Sequence, residues 1–181
     1  MVKLKTQIWC AREKSPISLD LSKFQKVENY LPNKPIGGLW TSTYTPDEEY
    51  CSEWIEWLCF NAPEWVTGNC YLLIPEDNIK VYEIDKAEDL EKLFEKYGFD
   101  TPFGCFINWE KVCKDYDAIH LTSAGQWRTR EGTPKYGDRL NLYGWETEST
   151  LWCKPKFKKI IPITKIKNRK CKIFCYLGLG K

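Results

Sequence analysis

Short segments rich in β-branched and aromatic residues dominate this sequence, and they do not alternate regularly with helical segments as in a parallel α/β fold. This irregular succession restricts the chain to an α+β architecture. We therefore predict a single α+β domain over residues 1–181, with short mixed or antiparallel strands and two or three helices. Strands are expected at residues 6–11, 39–43, 70–74, 79–84, 116–121, 149–153 and 173–177, with the third and fourth adjacent to each other.

Helical periodicity is clearest in residues 46–60. Tyr50, Trp54 and Trp57 recur there at intervals of three to four residues, which indicates one apolar helix face. Thr45 is the expected N-cap, because a proline and three acidic residues follow it directly. Further helices are expected at residues 85–97 and 108–114. Residues 122–138 contain several glycines, a proline and few aliphatic residues, which predicts a long loop there.

Charge is distributed unevenly along the chain. Residues 154–181 carry ten of the 27 basic side chains and none of the 25 acidic ones, so a basic C-terminal segment follows an acidic body. A solvated face or a charged edge strand accounts for such a segment. A surface that binds nucleic acid or an acidic partner accounts for it equally, because phosphates favour clustered cations.

Nine cysteines are present, yet we interpret most of them as small buried apolar residues in a reducing cytoplasm. Their number is odd, residues 1–7 lack the apolar core of a secretory signal, and no apolar run approaches the roughly 20 residues that span a bilayer. Cys171 and Cys175 lack the further ligands that a zinc site needs. The expectation is a cytoplasmic protein without a metal site or a membrane segment.

His120 is the only histidine, so a Ser-His or Cys-His mechanism would have to use it. It alternates with Ile119 and Leu121 on a predicted strand. We interpret it as a structural or surface residue, because nothing beside it in the sequence indicates a nucleophile.

Three short polar elements follow one another in order: Arg12 after the first predicted strand, Thr-Ser-Thr at 41–43, and Glu-Thr-Glu at 146–148. In this order the chain resembles the ADP-ribosyltransferase family of the Arg, Ser-Thr-Ser, Glu-x-Glu type. Residues 115–119 and the strand at 149–153 also resemble strands of small transferase domains. The resemblance implies an ADP-ribosyltransferase-like split sheet and NAD as the substrate, although the central motif here is Thr-Ser-Thr.

The family's chemistry implies roles for these residues. Release of nicotinamide develops positive charge on the ribose, and a fixed carboxylate beside it, here Glu148, stabilises the transition state. Glu146 would be the general base that activates the acceptor. Ser42 would orient the ribose and the catalytic glutamate. A guanidinium binds pyrophosphate bidentately, so Arg12 would bind the cofactor, with Thr41 beside Ser42.

Two tryptophans lie next to these motifs in the sequence. Trp40 and Trp145 could stack on nicotinamide or adenine. Residues 34–42, 54–57 and 143–146 also resemble segments of uncharacterised proteins of bacteriophages and prophages. That likeness implies a phage-encoded protein in the host cytoplasm.

The leading hypothesis is therefore a mono-ADP-ribosyltransferase, or an NAD glycohydrolase, that acts on a protein or nucleic acid of the host. One alternative is a nucleotide-binding module that has kept the fold without the activity. The other is an interaction protein that binds nucleic acid or protein through its basic segment.

Overall fold

A computed structural model describes residues 2–10, 19–30, 33–63 and 70–163. The architecture of these residues is mixed α+β, as predicted. The elements are β1 (Gln7–Cys10), a short 3-10 helix (Leu21–Lys23), β2 (Leu39–Thr43), α1 (Glu53–Asn61), β3 (Cys70–Pro75), β4 (Val81–Ile84), α2 (Ala87–Tyr97), β5 (Gly98–Thr101), β6 (Gly104–Ile107), α3 (Trp109–Asp115), β7 (Ala118–Leu121), α4 (Ser123–Thr129), β8 (Ser149–Trp152) and β9 (Phe157–Pro162).

Contacts divide the chain into two compact units. Among the described residues, unit 1 contains 2, 24–30, 33–39 and 79–155, and unit 2 contains 3–10, 19–23, 40–63, 70–78 and 156–163. One domain over residues 1–181 stays a prediction.

Unit 1 is built around β7. This strand pairs in parallel with β4 and antiparallel with β8. Three of its four residues are buried, because Ala118, Ile119 and Leu121 are apolar on both faces of the strand. Helix α2 has an apolar face at Leu90 and Leu93, both fully buried. Trp109, Trp145 and Trp152 are the largest fully buried side chains of the unit.

A hairpin of β5 and β6 in unit 1 is absent from our predictions. The two strands are four residues each and pair from Gly98 opposite Ile107 to Thr101 opposite Gly104. Their sequence offers little alternation of apolar and polar residues, which is why the pattern does not reveal them.

Unit 2 is an antiparallel arrangement. Strand β1 pairs with β2 and β3, and β3 also pairs with β9. The predicted adjacency of the strands at 70–74 and 79–84 is therefore wrong, because β4 pairs with β7 instead. Helix α1 contributes Ile55 and Leu58 to a core that includes Ile8, Leu72 and Ile163.

Two helix predictions need correction. Helix α1 begins at Glu53, seven residues later than predicted, and its N-cap is Ser52, whose hydroxyl accepts a hydrogen bond from the Ile55 amide. Residues 46–50 form turns. The predicted loop at 122–138 contains α4, where the Thr122 hydroxyl caps the helix by accepting from the Gly125 amide.

The predictions for 85–97, 108–114, 116–121 and 149–153 are confirmed by α2, α3, β7 and β8. The strand predicted at 173–177 lies outside the described residues, as does most of the basic segment 154–181.

The interpretation of the cysteines as reduced residues is wrong for five of the seven that lie in the described ranges. Disulfides join Cys10 to Cys70 and Cys113 to Cys153, and Cys51 is also disulfide-bonded. The sequence does not reveal these pairs because each joins residues far apart in the chain. Cys10 and Cys70 lie opposite each other on β1 and β3, whereas Cys113 on α3 is bonded to Cys153, the residue just after β8.

Candidate functional site

A buried carboxylate and the single histidine lie together in unit 1. Glu148 immediately precedes β8 and is 6% exposed. Its Oε1 is 3.5 Å from Nδ1 of His120 on β7, and the same Nδ1 is 2.9 Å from Oγ1 of Thr150. The pairing of β7 and β8 thus assembles a carboxylate, an imidazole and a hydroxyl at one place.

Strand register explains this assembly. His120 is opposite Thr150 on β8 and opposite Glu83 on β4. Directly opposed residues of neighbouring strands project from the same face of a sheet. Glu148 is two residues before Thr150, so it follows the same face. The result is a polar row across three strands whose flanking residues, such as Ile119 and Leu121, are fully buried.

The environment of His120 favours its neutral form. Burial lowers the pKa of His120 below its usual 6.5, and this effect exceeds the opposing attraction of the Glu83 and Asp85 carboxylates. A neutral imidazole can hold one proton on either ring nitrogen. The nearby Glu148 oxygen favours the tautomer with the proton on Nδ1, which then points toward Thr150 and Glu148.

Glu146 has a cationic neighbour. The charge of Glu146 raises the pKa of Lys34, but burial of the lysine outweighs it and lowers that pKa overall. The Lys34 stem covers Gly144, where an added Cβ would come 3.2 Å from the lysine Cβ. The two glutamates therefore differ: Glu148 is buried beside an imidazole, and Glu146 is half-buried near an ammonium group.

Trp145 lies in the core. It is 1% exposed, its indole N–H donates to the Asn33 carbonyl at 3.0 Å, and its ring lies against Trp109 at 5.5 Å between centroids. A ligand would reach this ring only after a rearrangement. Asn33 holds the same region through its amide, which donates to the carbonyls of Cys105 and Asn141.

Helix α4 positions the segment that leads to Glu148. The Gln126 amide donates to the carbonyls of Trp145 and Glu146 at 3.4 and 3.3 Å. Close approach of the helix to β4 requires glycine at 125, since an added Cβ there would lie 1.9 Å from the Ile84 carbonyl oxygen.

The Thr-Ser-Thr residues belong to unit 2. Ser42 and Thr41 are buried on β2, and Trp40 is half-buried. The Thr41 hydroxyl donates to the Gln7 side-chain oxygen at 2.8 Å, and the Gln7 amide donates to the Thr43 hydroxyl at 3.3 Å. This bonding gives Thr41 a cross-strand structural partner. Its binding of NAD stays a prediction.

Ser42 lies opposite Ile8 in the pairing of β1 and β2. The orienting role of Ser42, the stacking role of Trp40 and the general-base role of Glu146 stay predictions. Arg12 lies outside the described residues.

The sequence did not predict three of these contacts: His120 with Glu148, Gln7 with Thr41, and Asn33 with Trp145. In each contact the two residues are at least 28 positions apart in the chain. The only sequence signals are that His120 is the single histidine and that Asn33 follows a proline in a turn-rich segment.

Searches against protein-family models, curated proteins and solved structures give no match for this chain. Within the described ranges, no group of three or more histidine, cysteine or acidic residues is arranged to hold a metal ion. The helices of those ranges are also too short or too polar to cross a bilayer.

Proposed function

We propose that this protein cleaves the nicotinamide–ribose bond of NAD, as an ADP-ribosyltransferase or NAD glycohydrolase, with Glu148 as the catalytic carboxylate. The observation that carries the proposal is the burial of Glu148 beside His120 at the start of β8. The ordered motifs at Arg12, 41–43 and 146–148 supply the reaction class, through their resemblance to the transferase family.

Burial favours the proposed role of the glutamate. A carboxylate withdrawn from water interacts more strongly with positive charge that develops beside it, because the local dielectric constant is low. Nicotinamide departure creates such a charge on the ribose. His120 would act as a positioning residue, because its Nδ1 lies 3.5 Å from Glu148 Oε1 and 2.9 Å from Thr150 Oγ1, and a proton on this nitrogen would restrict where the carboxylate can lie.

Glu146 distinguishes the two variants of the reaction. As a general base it would activate an acceptor group after nicotinamide leaves, whereas hydrolysis needs only water. Its half-buried position near Lys34 leaves it closer to solvent than Glu148. We therefore place the acceptor on the Glu146 side of the segment 146–148.

The test is nicotinamide release from NAD by the purified chain. Glu148→Gln keeps the size of the side chain and removes its charge, so the rate should fall about a hundred- to thousandfold. Glu131→Gln is the matched control, because the Glu131 side chain is 81% exposed and forms an ion pair with its sequence neighbour Arg130. Its rate should equal that of the unmodified chain.

Glu146→Gln then separates the reactions. It should reduce transfer to an added acceptor and leave nicotinamide release in water largely intact. An unmodified chain that releases no nicotinamide with any protein or nucleic acid offered, or a fully active Glu148→Gln variant, would refute the proposal.

A second candidate function is supported by an exposed aromatic surface on unit 1. Trp127 on α4 is 81% exposed, and the Arg130 guanidinium lies 5.4 Å from the ring centre of the exposed Tyr143. Tryptophan, tyrosine and arginine are the residues most enriched at binding hot spots. Retained binding of a macromolecule by Glu148→Gln and its loss in Trp127→Ser would favour an interaction protein over an enzyme.

A further inference from the structure

A groove of about 880 Å³ in unit 1 has a disulfide in its wall. The groove is formed by residues 24 and 26–29, three residues of α3 and residues 153–155. Cys113, in the last turns of α3, is half-buried, whereas Cys153 is 8% exposed. The more accessible of the two bonded cysteines therefore faces a space large enough for a small molecule.

Charges of both signs line the same groove. Lys26 and Lys114 are exposed lysines, and Glu28 and Glu110 are exposed glutamates. Lys154, at the same wall, forms an ion pair with the buried Asp117 carboxylate at 3.3 Å. A ligand that carries carboxylates as well as an amino group would meet opposite charges here, whereas a purely anionic ligand would be repelled by the glutamates.

We propose that Cys113–Cys153 is a thiol–disulfide exchange site for a small zwitterionic peptide thiol. Lys26 and Lys114 recognise the carboxylates of the peptide, and Glu28 or Glu110 recognises its amino group. The sulfhydryl then reaches Cys113, the half-buried end of the bridge. This site uses none of the residues assigned to NAD cleavage, so it stands independently of that function.

The disulfide is reduced in two successive exchange steps. The peptide thiolate attacks Cys113 Sγ and forms a mixed disulfide, while the bonding pair leaves on Cys153 Sγ, which takes up a proton. A second peptide thiolate attacks the peptide sulfur of the mixed disulfide and releases Cys113 as a thiol. Two peptide thiols are oxidised to one peptide disulfide, and the protein bridge is reduced to two thiols. The covalent link between α3 and the end of β8 is then open.

The other described bridge is an internal standard. Cys10 and Cys70 lie opposite each other on the paired strands β1 and β3, between two elements of one sheet. At a bridge with no binding site for the thiol, the reaction is second order and its rate rises linearly with thiol concentration. At a site that binds the thiol first, the bound thiol has a high effective concentration, so the reaction is faster and its rate saturates with thiol concentration.

The experiment uses the full chain in non-denaturing buffer with reduced glutathione as the probe, acid quenching, and mass spectrometry of the peptides. Glutathione adducts on Cys113 should form at least about tenfold faster than adducts on Cys10 or Cys70. The Cys113 rate should saturate with glutathione concentration, and the rate at Cys10–Cys70 should rise linearly.

Charge recognition is tested by the double variant Lys26→Ala and Lys114→Ala, with Lys111→Ala as the matched exposed control. The double variant should slow glutathione attack about fivefold, and the neutral thiol 2-mercaptoethanol should react unchanged. Lys111→Ala should affect neither thiol, since Lys111 does not line the groove.

Equal rates at the two bridges, or a linear rate at Cys113 in the unmodified chain, would overturn the proposal whether or not the variants fold. Equal slowing of both thiols by the double variant would overturn the recognition by lysines.

Discussion

Each unit buries a set of polar side chains between its strands, and the two sets differ in whether their members titrate. In unit 2 the buried set is neutral: Gln7 links the hydroxyls of Thr41 and Thr43. In unit 1 the set contains two titratable side chains, His120 and Glu148. A neutral network that is fully hydrogen-bonded stabilises one register of the strands. A buried ionisable pair costs desolvation, and this cost is the reason for which we propose a chemical role for His120 and Glu148.

The largest expected effect concerns the helix that supports the ionisable set. Gly125→Ala would place a Cβ 1.9 Å from the Ile84 carbonyl oxygen, so α4 must move away from β4. We expect a loss of about 3 kcal/mol or more in the free energy of unfolding, measured by urea denaturation.

Gly137→Ala is the control for that variant. An added Cβ at 137 meets no atom within 4 Å, although φ is +59° there. The loss should be about 1 kcal/mol. Equal losses at the two glycines would show that close packing of α4 does not determine the stability of this region.

The neutral network predicts the next effect. Gln7→Met preserves the length of the side chain but leaves the hydroxyls of buried Thr41 and half-buried Thr43 without this partner. The free energy of unfolding should fall by about 2 kcal/mol. This loss should be the same at pH 5.5 and 7.5, because no member of the network titrates. A loss that changes with pH would contradict the assignment of a neutral structural role.

His120 predicts a pH dependence. Burial depresses its pKa in the folded chain below the unfolded value of 6.5, so the unfolded chain binds more protons in this range. Stability is therefore complete above pH 6.5 and declines as the pH falls from 6.5 toward the lower, folded pKa. Some of the free energy of unfolding should therefore be lost between pH 7 and pH 5.5.

His120→Gln should remove this part of the acid sensitivity, since the chain has one histidine. Denaturant midpoints across the pH range provide the measurement. An unchanged pH profile in the variant would show that His120 is not the source of the acid sensitivity.

The smallest effect is expected at the surface of α4. Trp127 is 81% exposed, so Trp127→Ser should change the free energy of unfolding by less than about 0.5 kcal/mol. A larger loss in thermal unfolding would mean that Trp127 packs against the chain and does not form a free aromatic surface.

Strong local patterns made part of the fold predictable. Helix α2 and strand β7 follow from periodicity, because their apolar residues recur at the helix and strand spacings. Helix α4 could not be predicted, since its seven residues include Gly125 and an exposed tryptophan, and its stability comes from a cap and from packing on β4. The start of α1 was misplaced because Thr45 and Ser52 both have suitable capping side chains, and the choice between them is not local.

Part of the candidate site could likewise be predicted from the sequence, and part could not. Glu148 could be proposed from a short motif, but its neighbour His120 depends on the register of β7 against β8, which the sequence does not encode locally. The bridge from Cys113 to Cys153 likewise depends on where α3 ends relative to β8. Contacts of this kind arise from tertiary packing of segments that are distant in the chain.

We propose that the titratable set in unit 1, which contains Glu148, cleaves NAD, and that the neutral set around Gln7 in unit 2 maintains structure. Nicotinamide release per folded molecule, measured for Glu148→Gln and Gln7→Met, tests it most directly. We expect a loss of about a hundredfold or more for Glu148→Gln, with the free energy of unfolding within about 1 kcal/mol of the unmodified chain. For Gln7→Met we expect near-normal release by the molecules that remain folded. Full activity in Glu148→Gln, or a loss only in Gln7→Met, would contradict the proposal.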